Sequence, residues 1–177
     1  MARIPYRMPP KKVIPSLALA LLLGGLAAAQ LAVDTIEEFE GYVPEGYYDP
    51  VGIPTKCFGD TTDVVIGRKY SFDECARSLN AHLYELAAPV TRCVRNFHTL
   101  PEKTRAALIS MTYNIGSTAM CGSSIVRYFN QGQAERACRR MAEIYTSARG
   151  RKLPGLVRRR NYEAQLCLAG LREAEHE

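Results

Sequence analysis

From Val13 to Val33 the chain runs for twenty-one residues without a charged side chain, and after Asp34 apolar positions recur at helical spacing. As one helix the uncharged run would extend about 31 Å, roughly the thickness of a bilayer's hydrocarbon core. An amphipathic core helix would break such a run with polar residues every three or four positions, so the pattern predicts a membrane-directed export segment. Arg3, Arg7, Lys11 and Lys12 precede it, an arrangement that keeps the N-terminus inside and sends everything from Asp34 to the far side. The chain therefore divides into an export or signal-anchor segment, 1–33, and a folded part, 34–177.

Past the leader the pattern predicts helix after helix. Ser71 with Glu74 reads as a capping box ahead of "CARSLNAHLYELAAPV", and Thr99 with Glu102 as another, with Pro101 inside the first turn. "TRAALISMTYNIG" carries apolar residues at helical spacing up to Gly116 and is the expected central core helix. "SSIVRYFNQG", "AERACRRMAEIYT" and "LPGLVRRRNYEAQLCLAG" follow, the last expected to run from Pro154 to a closing glycine at Gly170. Strand signals are confined to about 42–67. The fold class is α+β: a helix carrying Glu40, a small antiparallel sheet, then a helical lobe that packs on it.

Composition narrows the function. Of 23 Lys and Arg residues four stand in the leader, leaving 19 against 18 Asp and Glu in the remainder. A nearly neutral body without a Rossmann, P-loop, zinc-finger or RNP pattern argues against a nucleic-acid partner. Cys57, Cys75, Cys93, Cys121, Cys138 and Cys167 all lie beyond the leader, which suits an oxidising compartment and disulfides. No C-x-x-C pair occurs, and His82, His98 and His176 are scattered, so neither a metal site nor a histidine-dependent hydrolase is expected. Six cysteines allow fifteen pairings. Joining neighbouring segments favours Cys57 with Cys75, Cys93 with Cys121 and Cys138 with Cys167.

The chemistry is concentrated in "EGYVPEGYYDPVGIPTKCFGDT", residues 40–61. Glu40 and Asp49 stand nine positions apart with Thr55 six further on, too far for one helix face but within reach of a helix end and a tight turn. Solvated loop charges would have the same spacing. As an acid/base pair the two differ usefully. Glu40 follows Ile36 and Phe39 at the end of an apolar helix, where partial burial favours the neutral acid, whereas Asp49 lies in a polar turn that favours the ion.

Four motifs, "IEEFEG" at 36–41, "YYDPVGIPTKCFGDT" at 47–61, "ALISMTYNIG" at 107–116 and "LPGLVRRR" at 153–160, occur in an order that resembles the phage-type lysozymes, specifically their exported endolysins. The resemblance implies a lysozyme-like fold with the active-site cleft between the two lobes. It also implies hydrolysis of the β-1,4 bond between N-acetylmuramic acid and N-acetylglucosamine in peptidoglycan, with no cofactor. It makes Glu40 the acid, Asp49 the second carboxylate and Thr55 the residue that positions water, with inversion at the anomeric carbon and carboxyls roughly 6.5–9.5 Å apart. Phe58 and Asp60 depart from the family, which often has histidines around that glycine.

Tyr48, Tyr113, Asn114, Arg158 and Arg159 are candidate substrate contacts. Tyr42 and Tyr47 could stack on sugars or close the sheet. The run from Arg149 to Arg160 could meet stem-peptide carboxylates, lend Arg158 or Arg159 to Glu40, or remain a solvated helix start. The expected partner is the cell wall, with at least transient membrane contact through 13–33 and a monomeric chain. The alternative function is a non-catalytic wall-binding or membrane-anchored scaffold protein. The leader's fate stays open among three outcomes. Ala27, Ala28 and Ala29 form a cleavage site before Gln30. Ten Leu, Ile and Val residues contribute only on the order of −3 to −6 kcal/mol to insertion, so permanent anchoring is weak. Glu40 follows Val33 by seven residues, at most about 25 Å of extended chain, which would press a tethered active site against the lipid. That favours export in an inert tethered state followed by release to the periplasm. No cysteine lies between 13 and 33, so activation on release would rely on refolding rather than thiol exchange.

Overall fold

A computed structural model describes residues 9–148 and 150–176, so Arg3, Arg7 and Arg149 fall outside it. The uncharged run is not one straight rod. Ser16 caps a short helix, α1 (Leu17–Leu22), by accepting from the Leu19 N–H, and a turn at Gly24 and Gly25 leads into α2 (Leu26–Glu40). α2 crosses the boundary between leader and folded part without a break. Its residues Ala28, Ala29, Ala32, Val33 and Ile36 are wholly buried, as are Val13, Leu19 and Leu23 before it, and all belong to one continuous core. No helix among the described residues is long and apolar enough to cross a membrane.

The leader is also held by polar contacts. The Arg105 guanidinium donates to Gly24 O at 3.2 Å, Asn80 bonds Ser16 N and Ile14 O, and Lys12 pairs with Asp34 at 3.0 Å. Val13 N donates to Glu37 Oε1 at 3.3 Å. Burial pushes the Glu37 carboxyl up to about 6, with Asp34 adding to the rise while the Val13 N–H and Lys12 oppose it. A carboxyl whose folded value lies above its unfolded one stabilises the fold below the ordinary value, and that contribution is lost as pH rises through about 6. Glu37→Gln is therefore expected to melt higher than the parent at about pH 7.5 and to lose that advantage at about pH 4. Thermal unfolding at the two pH values measures it; a constant difference would remove Glu37 as the source.

The sheet lobe is small. β1 (Val43–Tyr48) pairs antiparallel with β2 (Pro54–Cys57), Tyr47 opposite Thr55 and Tyr48 opposite Pro54, with the register irregular between Val43 and Tyr47. Beyond it α3 (Phe72–Cys93) opens on Ser71 and Glu74, whose reciprocal bonds form the expected capping box. The second expected box is absent. Thr99 ends a 3₁₀ turn, with its hydroxyl on Asn96 O, and Leu100 and Pro101 are extended, so α4 (Glu102–Ile115) starts without a side-chain cap.

α5 (Ser117–Cys121), α6 (Ser124–Asn130) and α7 (Ala134–Met141) follow, then a two-residue hairpin, β3 (Ser147–Ala148) and β4 (Arg151–Lys152), that no sequence signal announced. The final helix, α8 (Pro154–Ala174), passes through Gly170 instead of ending there. That glycine is a close approach, since a Cβ on it would stand 2.8 Å from Thr104 Oγ1. α4 packs between α2 and α8, as expected of a central helix. Disulfides join Cys57 to Cys75, Cys93 to Cys121 and Cys138 to Cys167, tying β2 to α3, α3 to α5 and α7 to α8.

Candidate active site

Glu40 is the last residue of α2, and Gly41, with φ of 74°, turns the chain directly into the sheet lobe. The carboxyl thus stands where the helical and sheet lobes meet, keeping 21% of its side-chain surface exposed. Arg159 Nη1 donates to Glu40 Oε1 at 2.6 Å from the first half of α8, 119 residues away in sequence. Gly59 faces the other oxygen: a Cβ there would lie 3.2 Å from Glu40 Oε2, and its φ of 82° disfavours any larger residue. Phe39 packs edge-on to Tyr162 and lies beneath the guanidiniums of Arg158 and Arg159.

Asp49 occupies the β1–β2 turn. Its Oδ1 accepts from Val51 N at 2.9 Å and Ile53 N at 2.7 Å, bonds that fix the carboxylate while making the turn. Thr55 is buried, and its Oγ1 donates to Ile53 O at 3.0 Å. The register sets Thr55 across from Tyr47. Burial raises the Tyr47 hydroxyl above its ordinary value, and the charges of Asp49 and then Glu40 raise it further. Asp49 and Thr55 thus lie on the β1–β2 hairpin beside Tyr47, and Glu40 ends the helix that leads into it.

Tyr113 donates to Phe58 O at 2.7 Å, bridging α4 to the loop that carries Gly59. Burial first, then Glu40 and Asp60, push its hydroxyl up. Its role is thus at least to join the lobes beside Glu40. Tyr48 is 60% exposed, Asn114 is exposed near the end of α4, and Arg158 lines an open groove with Lys152, Pro154, Val157 and Asn161. Tyr42 is buried against Phe58 and Phe72, so it closes the core beneath the sheet.

Phe58 and Asp60 are buried as well. Burial works against the charge of Asp60, but bonds from Ser78 and from Thr62 N, together with the Lys56 ammonium 3.3 Å away, hold its carboxyl below the ordinary value. Three residues that no sequence motif singles out, Ser110, Arg160 and Glu163, are wholly buried around Arg159. A signal existed. Arg159, Glu163 and Cys167 recur every four residues on α8, and a cysteine expected to be bridged marks that stripe as the interior face.

The fold thus brings a glutamate at a helix end, held by a distant arginine, together with an aspartate in the adjoining sheet turn and a predominantly helical second lobe. The chain belongs to the phage lysozyme family, whose pattern matches residues 37–163, and is accordingly a glycosidase that hydrolyses peptidoglycan. It is 35% identical over 167 residues to the SAR-endolysin of Enterobacteria phage P21, covering 88% of this chain and 98% of that relative. Among solved structures, the endolysin of Escherichia coli O157:H7 phage FAHEc1 shares 31% identity with a TM-score of 0.70 over 78% of this chain and 90% of that one. The active form of phage P1 endolysin Lyz shares the fold, with a TM-score of 0.74 at 22% identity, over 91% of this chain and 98% of that one.

Proposed function

We propose that the chain is an endolysin cutting the β-1,4 bond between N-acetylmuramic acid and N-acetylglucosamine by inversion, causing host lysis. The observation that carries this reading is Glu40, clasped by Arg159 at the lobe junction, with Asp49 fixed in the adjoining β1–β2 turn. Glu40 gives its proton to the leaving oxygen. Thr55 Oγ1 spends its own hydrogen on Ile53 O, so towards a water it is an acceptor. Asp49 spends Oδ1 on two backbone N–H groups, leaving Oδ2 as an acceptor for the same water. A water donating one hydrogen to each would aim a lone pair at the anomeric carbon. As the C–O bond breaks, Asp49 takes the proton from the attacking water and balances the cationic sugar. Tyr48, Asn114, Tyr113 and Arg158 are proposed to border the sugar-binding face.

The same reading makes 1–33 an export segment that starts tethered to the inner membrane and ends as part of the periplasmic enzyme, which acts as a monomer without metal or cofactor. The buried Val13, Leu19, Leu23, Ala28 and Ala29 support release of an intact leader over cleavage after Ala29.

Clearing of permeabilised Gram-negative cells by the purified full chain tests the activity, and product stereochemistry on a soluble glycan fragment tests inversion. A chain begun at Asp34 is the wrong reagent, since it lacks half of α2. Asp49→Asn is expected to lower clearing at least a hundredfold with an unchanged melting profile. Clearing at the parental rate would remove Asp49 from the reaction, and a non-catalytic wall-binding protein would not clear cells at all.

A further inference from the structure

The proposed reaction leaves a wholly buried carboxylate unused. Glu163 is wholly buried on α8, and its Oε1 accepts from Ser110 Oγ at 2.8 Å and Arg159 Nε at 3.1 Å. Its Oε2 stands 2.8 Å from Arg160 Nη2, close in charge but off the line of a hydrogen bond. Burial pushes the Glu163 carboxyl up, opposed by Arg160, Arg159 and the Ser110 hydroxyl. Such a cluster is a poor way to stabilise a helix interface: desolvating two or more charges offsets most of their attraction, and apolar residues of similar volume often do as well or better. Its geometry suggests another use.

The guanidinium of Arg159 is a rigid planar fork. Its Nε is fixed by Glu163 and its Nη2 by Ser110 O at 3.2 Å, so the direction of the third nitrogen, Nη1, is set before Glu40 is met. Nη1 is the nitrogen that holds Glu40. Charge matters as well as direction. Arg159 holds Glu40 directly from α8, and Arg160 of α8, Tyr113 of α4 and Tyr47 of β1 are near enough for its charge to act on them. Against Glu40 alone the two guanidiniums would stand unopposed; Glu163, at i+4 and i+3 from them, carries the opposing charge.

We infer that Glu163 is a positioning residue for the proton donor, aiming Arg159 at Glu40 and neutralising part of the positive charge that Glu40 would otherwise face. The inference rests on Glu40 being the acid. Removing the Glu163 charge favours ionised Glu40, so an acid needed in its protonated form is lost at lower pH.

The test compares pH profiles of peptidoglycan solubilisation for the parental full chain, Glu163→Gln and Glu163→Asp, each checked for folding by circular dichroism. The alkaline limb of Glu163→Gln is expected about half to one pH unit below the parental limb. Glu163→Asp retains the charge and is expected to keep the parental limb with a lower maximal rate. A Glu163→Gln limb coincident with the parental one, whatever its rate, overturns the inference. If Glu163→Gln does not fold, Ser110→Ala decides, because it removes one hold on Glu163: a fall in kcat with KM unchanged supports the role, and parental kcat overturns it. Glu40→Gln run alongside separates the two claims. Parental activity in Glu40→Gln removes the acid assignment and this role together, whereas an inert Glu40→Gln beside an unshifted Glu163→Gln removes this role alone.

Discussion

Glu40→Gln is expected to slow clearing by about two to four orders of magnitude while leaving the fold intact. The amide keeps the size of the side chain, and its carbonyl can still accept from Arg159 Nη1, so α2, α8 and the junction between the lobes lose no packing. What disappears is the transferable proton. Wall-binding should survive, which makes co-sedimentation with purified peptidoglycan a useful companion to the clearing assay. A folded Glu40→Gln protein that clears at the parental rate would refute the acid assignment.

A chain begun at Gln30, the product of cleavage after Ala29, is expected to be inactive because it cannot complete its core. Val13, Leu19 and Leu23 are wholly buried, and each such side chain is worth about 1.5–3 kcal/mol of burial. Losing the three removes on the order of 5–9 kcal/mol by that measure, comparable to the whole stability of an ordinary domain, about 5–15 kcal/mol. Ala28 and Ala29 go with them, and Arg105 loses the Gly24 carbonyl it binds. Circular dichroism melts of the full chain and the Gln30 chain measure the loss. Cooperative unfolding at the parental temperature would show that the leader is dispensable to the fold. In cells, N-terminal sequencing of periplasmic protein before and after an uncoupler distinguishes an intact leader from a cut one.

The loop of residues 40–61 and the helical lobe were readable because their signals are local. A capping box at Ser71, a terminal glycine at Gly116 and strand signals confined to about 42–67 each depend on a few adjacent residues. The leader was harder. An uncharged run has the same sequence signature whether it faces lipid or a protein core, and only the tertiary structure shows Leu19 and Leu23 turned inward while Leu17 and Leu21 stay exposed. Thr99 misled because a capping box requires the backbone at its own position to enter the helix, and the extended Leu100 and Pro101 intervene. Gly170 misled because a glycine that admits a neighbouring helix looks, in sequence, like one that ends its own. The link from Glu40 to Arg159 was legible only as a possibility, since it spans most of the chain; Glu163 behind it needed the Cys138–Cys167 bridge to reveal which face of α8 is interior.

The continuity of α2 sets a limit on how this leader can evolve. Its buried alanines, Ala28, Ala29 and Ala32, lie on the helix that packs against α4, where Ala106 and Ala107 are buried as well. Exchanging them for leucine would make the segment greasier and, on the proposed reading, more firmly inserted during export, but would overfill that seam in the folded enzyme and displace the end of α2, where Glu40 sits. If the segment directs export as proposed, secretion and hydrolysis pull the same alanines in opposite directions, and a borrowed export sequence of ordinary hydrophobicity would satisfy the first and spoil the second.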